Sequence, residues 1–421
     1  MFLSGLFFAS ISGVFAEDYN IELNLELSVS ENDAGINTGS LSPDSSKVLL
    51  IGSEGYAHLI SANNAGDRSQ DIELNTGKVV DLNDVSWHPR GQSALIAGDF
   101  GVALRYEVKD HGVTLVNGTG AILGFDLSSV QWRSAGDFAY FGSDDGTLWR
   151  FSEGTGFVKI DNSSNSSITG ISCHGNYEIC VVSSLSNGIG VISQSHQVTW
   201  ISGTKTDTWI DVDCADPVLN ECVAFGSGLR LRPILLKIID ASKTSVGELA
   251  QYPTLNGDFI SISSGFDRTT LVHLAPSSTV RYYPLDDVAR VQISGQQLQE
   301  WDAVISGRQI AFIWENSQND GFIITTNGNV ISFSPVEFVV ENNMVTTVIL
   351  VAVSISVPGV ILGLIYMNSP FLQKKYLAFR KKSRLKKTNK KSYVIEAPKV
   401  PIKRGEAMEP FEGLDFYDIE S

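Results

Sequence analysis

The chain has 421 residues, with 31 Lys and Arg against 47 Asp and Glu, a net charge of −16. The balance is uneven: from Asn368 onward there are 13 basic and 7 acidic residues, which leaves 18 basic against 40 acidic before that point, a net of −22. Such a field repels polyanions and argues against nucleic acid or an anionic polysaccharide as ligand, while suiting cations, a saline environment or simple solubility.

Residues 1 to 16, MFLSGLFFASISGVFA, are apolar and uncharged and end on Val14-Phe15-Ala16 before acidic Glu17-Asp18. That is the length and ending of a secretory signal cleaved after Ala16, although its first residues lack Lys and Arg. The alternative is a short buried strand. Tyr19 to Val29 then alternates apolar and polar residues for eleven positions, as a strand with one wet face does.

From Leu82 to Glu153 the chain says the same thing twice: LNDVSWHPRGQSALIAGDFGVALRYEV, then LSSVQWRSAGDFAYFGSDDGTLWRFSE from Leu127. Each copy runs through an alternating segment ending on Trp (Trp87, Trp132), a polar Gly turn, a small apolar strand, a second tight turn, and a strand ending on Arg and an aromatic. Period-2 alternation with Gly and Asp turns means antiparallel strands. Weaker copies align at Leu41, Cys173, Cys214 and Ile262, and a last one lies between Trp301 and Phe333 with its core position at Trp314. The steps are roughly 41 to 48 residues, the span of a four-stranded propeller blade, and counting them gives seven.

The unit V-x-W-x-P/S-x-G, apolar strand, G-x-x-G, strand ending R-Y/F resembles the WD40 or YVTN-like β-propeller superfamily, especially the degenerate propellers of archaeal surface proteins. It covers about 300 of the 421 residues. The resemblance implies an all-β, seven-bladed β-propeller over residues 17 to 336. The Gly-His and Trp-Asp dipeptides of typical repeats are missing, so their hydrogen-bonded tetrad does not carry over and the blades must hold by packing. Propellers close their ring by letting one chain end complete the blade formed by the other, a role that suits Tyr19 to Val29. Two registers stay open for the last blade. Trp301 to Phe333 can supply all four strands, or Phe312 to Phe333 can supply three and borrow the N-terminal one.

The four Cys fall into two pairs, Cys173 with Cys180 and Cys214 with Cys222. In each pair the first takes the Trp position and the second sits across the hairpin, where cross-strand neighbours approach closely enough for a bridge in an exported chain. Two disulfides are therefore expected; a four-Cys zinc site, which lacks its CxxC spacing, and free buried thiols are the alternatives. N-x-S/T sequons stand at Asn117, Asn162 and Asn165, candidate glycosylation sites in polar stretches between blades.

No residue from Asn342 to Gln373 is charged, and Val345 to Met367 is long enough to cross a hydrocarbon core of roughly 30 Å as a single transmembrane helix, kinked at Pro358-Gly359. Ten Lys and Arg follow between Lys374 and Lys391. They place the C-terminus in the cytoplasm and the propeller outside, at the plasma membrane. Ser369-Pro370 is expected to start a helix, and Lys374, Lys375, Arg380, Lys381, Lys382 and Arg384 would rest on anionic lipid. The tail from 368 to 421 turns acidic and aromatic at AMEPFEGLDFYDIES, a segment expected to be disordered alone.

Chemistry is sparsely signalled. The six His (His58, His88, His111, His174, His196, His273) form no ligand spacing; His88 and His174 each follow a Trp-column residue and read as turn residues. No GxSxG elbow, P-loop or dinucleotide fingerprint occurs, and SDDGTLW from Ser143 resembles a lone, shortened Asp-box turn. Asp81 to Asp84 and Asn316 to Asp320 supply no EF-type calcium series. No catalytic residue, metal or cofactor is expected. The leading expectation is a membrane-anchored cell-surface module that binds a protein or glycan. The alternatives are a propeller enzyme of glycosidase or lyase type at a channel mouth, and a single-pass sensor or assembly factor acting through the tail.

Overall fold

Apolar and polar residues alternate for five or six positions and then meet a turn rich in Gly, Asp or Asn, which yields strands too short to stand alone. Among the described residues these strands pair into seven antiparallel sheets. The structure, a computed structural model, describes residues 21–251, 258–275, 278–284, 288–293, 310–335, 365 and 367–391. The sheets follow the chain as blade 1 (36–73), blade 2 (82–115), blade 3 (127–159), blade 4 (168–200), blade 5 (209–251), blade 6 (258–293) and blade 7 (310–335). The first strand of each blade lies against that of the next, and Ile310–Ser317 of blade 7 returns to Ile36–Leu41 of blade 1, so the sheets form a closed ring.

Blade 7 settles the register left open above. Its three strands, Ile310–Ser317, Asp320–Thr325 and Val330–Pro335, are completed by Ile21–Leu25, which pairs from Ile21↔Pro335 to Leu25↔Ile331. The borrowed register holds.

All seven innermost strands carry a β-bulge at the same place. Pairing with the second strand slips between Ile36 and Thr38, Leu82 and Asp84, Leu127 and Ser129, Ile168 and Gly170, Trp209 and Asp211, Phe259 and Ser261, and Ile310 and Phe312. The extra residues are thus Asn37, Asn83, Ser128, Thr169, Ile210, Ile260 and Ala311. A bulge re-aims its side chain, and here the polar ones are aimed at the next blade. Asn37 Nδ2 donates to Leu82 O at 2.9 Å, Asn83 Nδ2 to Leu127 O at 2.9 Å, Ser128 Oγ to Ile168 O at 2.6 Å and Thr169 Oγ1 to Trp209 O at 3.1 Å. Ile210, Ile260 and Ala311 cannot donate, and other groups clasp those seams. Thr270 donates to Asp213 at 2.7 Å, Phe266 N and Arg281 bond Glu315, and Trp314 Nε1 donates to Ala62 O at 2.9 Å.

Seven clusters of buried apolar side chains fill the seams, one per pair of neighbouring blades. Leu49, Ile51 and Leu59 of blade 1, for example, pack on Val85, Trp87, Ile96 and Tyr106 of blade 2. Each such side chain contributes about 1.5–3 kcal/mol on leaving water, so the seams hold most of the core energy. Second strands such as Lys47–Gly52 and Ala139–Ser143 are covered on both faces, which is why they read as unbroken small apolar runs.

The bulge separates the backbone register from the apolar core in two blades, where Trp314 is fully buried and Ile262 packs against the core. Counting four residues on from the bulge gives Leu41, Trp87, Trp132, Cys173 and Cys214 in blades 1 to 5, as expected, but Ser264 and Glu315 in blades 6 and 7. Ile262 and Trp314 stand two and one residues earlier. Alignment by hydrophobicity stops at the nearest large apolar side chain, whereas main-chain pairing obeys the bulge.

The chain divides into two units, 1–337 and 338–421, and the second contributes one described helix, Pro370–Lys391. Its start matches expectation: Pro370 opens it and Ser369 O accepts from Gln373 N at 3.2 Å. Lys374, Lys375, Arg380, Lys381, Lys382 and Arg384 are exposed on it. Among the described residues no helix is long and apolar enough to cross a membrane. The signal segment 1–16, the stretch 345–367 apart from Ile365 and Met367, and the tail beyond 391 lie outside the described residues.

Candidate functional site

Antiparallel order gives the ring two unlike faces. Turns joining first to second and third to fourth strands emerge on one, here called lower; turns joining second to third strands and the links to the next blade emerge on the upper. Since Ile21 opposes Pro335 at the lower end of blade 7, both ends of the ring leave from the lower face.

The innermost strands enclose a central cavity of about 560 Å³ lined by hydroxyls, amides and the carboxyls of Asp84, Asp211 and Asp213. Those carboxyls are engaged in building the ring. Asp84 accepts from Val85 N at 2.8 Å and, across the seam, from Val130 N at 2.7 Å. Burial nonetheless pushes it up to about 7. Asp211 accepts from Val212 N at 2.8 Å; burial, with Asp84 and Asp213 adding repulsion, holds it well above the carboxylate range. Asp213, bonded to Thr270, is raised by burial. No Lys, Arg, His or Tyr is among the described residues lining the cavity, and no described group of His, Cys, Asp and Glu could hold a metal ion. Main-chain donors thus hold Asp84 and Asp211, and the Thr270 hydroxyl holds Asp213.

The lower face is stapled. Cys173–Cys180 and Cys214–Cys222 are disulfide-bonded across their first hairpins, each in the place where blades 2 and 3 have Trp. His88 and His174 act alike: Nδ1 accepts from the main chain two residues on (Arg90 N at 3.1 Å, Asn176 N at 3.2 Å), and Nε2 donates to a carbonyl of the following blade (Gly136 O at 3.0 Å, Leu219 O at 2.8 Å). On the upper face, by contrast, the Ser143-to-Trp149 segment is a hairpin turn in which Asp145 accepts from Ser143 Oγ at 2.7 Å and Thr147 N at 2.9 Å.

The upper face carries what sequence patterning misses. Phe100 stands at the tip of a turn with φ +58° and is 63% exposed. Gly101 makes this possible, since a Cβ there would meet Ile122 O at 2.1 Å. Asp126 accepts from Phe100 N at 2.9 Å and Gly124 donates to Phe100 O at 3.2 Å, which sets exposed Leu123 alongside. Val79, in the preceding link, is also exposed. Around them stand Asp81, Asp99, Asp126 and Asp144, in no ion pair among the described residues. Burial, then repulsion from the other three, raises the Asp99 carboxyl against the bond from Asn83. The equivalent turn of blade 1 holds Glu54 in the same left-handed conformation, so what sets this turn apart is its aromatic side chain. Asn117, Asn162 and Asn165 are exposed on links of this same face.

No family model and no curated protein matches the chain. Among solved structures, the WD40 β-propeller domain of Doa1 superposes with a TM-score of 0.55 at 14% identity, covering 75% of this chain and 98% of that one. The chain has a WD40-type propeller fold. The β-propeller domain of Myceliophteria thermophila Cps50 (Swd1) agrees, with a TM-score of 0.57 at 8% identity over 74% of this chain and 99% of that one.

Proposed function

We propose that the ring is a binding module that presents its upper face to a polypeptide partner, held at the cell surface by the apolar stretch that follows it. The observation that carries this reading is Phe100, an exposed aromatic kept in a left-handed turn among four carboxylates. Rigid aromatic anchors of this kind dominate binding energy, and backbone strain persists where surrounding bonds enforce it. The partner that fits has an apolar side chain flanked by Lys or Arg. In this reading the leader exports the ring, residues 345–367 span the bilayer, and the basic helix lies on anionic headgroups inside.

A photo-crosslinking residue at position 100 of the full chain, compared with one at Val108 on the lower face, tests this in producing cells. Adducts from position 100 that disappear with Leu123→Asp are expected. Equal labelling from both positions, or none from position 100, would refute the assignment. Protease added outside intact cells should digest the ring and spare the tail; the reverse pattern would remove the tether.

A further inference from the structure

On the lower face, the groove between blades 2 and 3 is open where its neighbour is filled. It encloses about 720 Å³, walled by His88, Arg90, Ser93, Arg105, Trp132 and Glu153 among others. Blade 3 supplies an internal comparison. Ser93 precedes Ala94, the partner of Trp87, and Phe138 precedes Ala139, the partner of Trp132, so the two occupy the same position. At the seam between blades 3 and 4, Phe138 carries the Arg133 and Arg150 guanidinium groups over its ring at 5.0 and 5.1 Å and packs on His196 at 4.4 Å. That space is occupied by protein. With Ser in place of Phe, the preceding seam leaves it vacant.

The groups around the vacancy are mostly donors. Trp132 is 4% exposed and its indole Nε1 has no acceptor among the described residues, whereas the equivalent Trp87 Nε1 donates to Ser40 O at 2.9 Å. Arg105 pairs with Glu153 through one terminal nitrogen while its Nε, like Arg150 Nε at the filled seam, is buried without an acceptor among the described residues. Both ring nitrogens of His88 are engaged, but the Arg90 guanidinium on the same exposed turn enters no ion pair among the described residues. With Lys109 paired to Glu107, the groove holds three cations and two carboxylates, a net positive site on a strongly acidic body.

We propose that this groove binds a small carboxylate with a flat apolar body. The carboxylate sits between Arg90 and Arg105, whose forked donors match its two oxygens, and the body lies against Trp132 and His88, themselves packed edge to face at 4.8 Å. The volume is that of a ligand pocket rather than a packing defect.

Hippurate titrated into the full chain, followed by calorimetry and tryptophan fluorescence, tests the proposal. Saturable binding is expected, with hippuramide about tenfold weaker, Arg90→Ala weaker by about fivefold, and inorganic phosphate unable to displace the ligand. Ser93→Phe, which installs the neighbouring blade's filler, should abolish binding while leaving the unfolding midpoint in place. No saturation by about 10 mM hippurate, equal binding of hippuramide, displacement by phosphate, or an unchanged affinity in Arg90→Ala would each overturn it. Should Ser93→Phe fail to fold, Arg90→Ala, a change on an exposed turn, decides alone.

Discussion

The side-chain amide of Asn83 reaches across a blade seam to the carbonyl of Leu127 at 2.9 Å, and also holds the Asp99 carboxylate at 2.8 Å. One bulge residue thus ties blade 2 both to its neighbour and to its own upper turn. Asn83→Ala should cost about 1–3 kcal/mol, because Leu127 O loses its donor in a half-buried seam. Asn83→Ser, the residue blade 3 uses at Ser128, should recover part of it. Urea midpoints at constant slope would measure both; an Asn83→Ala midpoint equal to wild type would show that the bond is idle.

Arg281 and Glu315 form an ion pair with side chains 3% and 0% exposed, joining blades 6 and 7. Arg281→Met alone should destabilise by about 3–5 kcal/mol, since it takes the counter-charge from a buried carboxylate. The double change Arg281→Met with Glu315→Leu should recover a good part of that loss. Thermal unfolding of the two variants compares them directly, and a double variant no better than the single one would contradict the account.

The response to pH divides between two kinds of buried group. Asp84, at about 7, lies above its unfolded value, so ionising it costs the folded state; the penalty is absent below about pH 4 and complete above about pH 7. His273, buried and held down to about 3, acts in the opposite sense: its contribution is intact above about pH 6.5 and is lost as pH falls toward 3. Asp84→Asn should therefore flatten the fall in stability between about pH 4 and 7, and His273→Gln the fall on the acid side. Unfolding free energies across pH 3 to 8 would show the two slopes separately, and identical profiles for Asp84→Asn and wild type would reject the first assignment.

Reducing the two bridges is expected to loosen blades 4 and 5 before the rest. Each closes a loop of only seven or eight residues, so each should contribute about 2–3 kcal/mol through the unfolded chain. Melting with and without reductant, using Cys173→Ala/Cys180→Ala and Cys214→Ala/Cys222→Ala variants, separates the two contributions. A reductant effect that survives in both double variants would point to another cause.

What the amino-acid order determined by itself was local. Period-2 alternation, Gly and Asp turns, the two Cys pairs across their hairpins, and Ser369-Pro370 as a helix start are all set by neighbours within about ten residues, and the structure agrees with each. Where the chain departs from typical repeats, packing alone was expected to hold the blades, and this was incomplete. The clasp of Asn37, Asn83, Ser128 and Thr169 needs the bulge that aims them, and a bulge leaves no trace in hydrophobic spacing. For the same reason Ile262 and Trp314, which do lie in the apolar core, stand two and one residues before the bulge-defined positions Ser264 and Glu315. Only the closed ring decided that Ile21–Leu25 completes blade 7, that Asp84 and Asp211 face a common channel, and that Ser93 leaves open the space Phe138 fills. These are relations between strands distant in the chain, and they exist only once the register of every sheet is set.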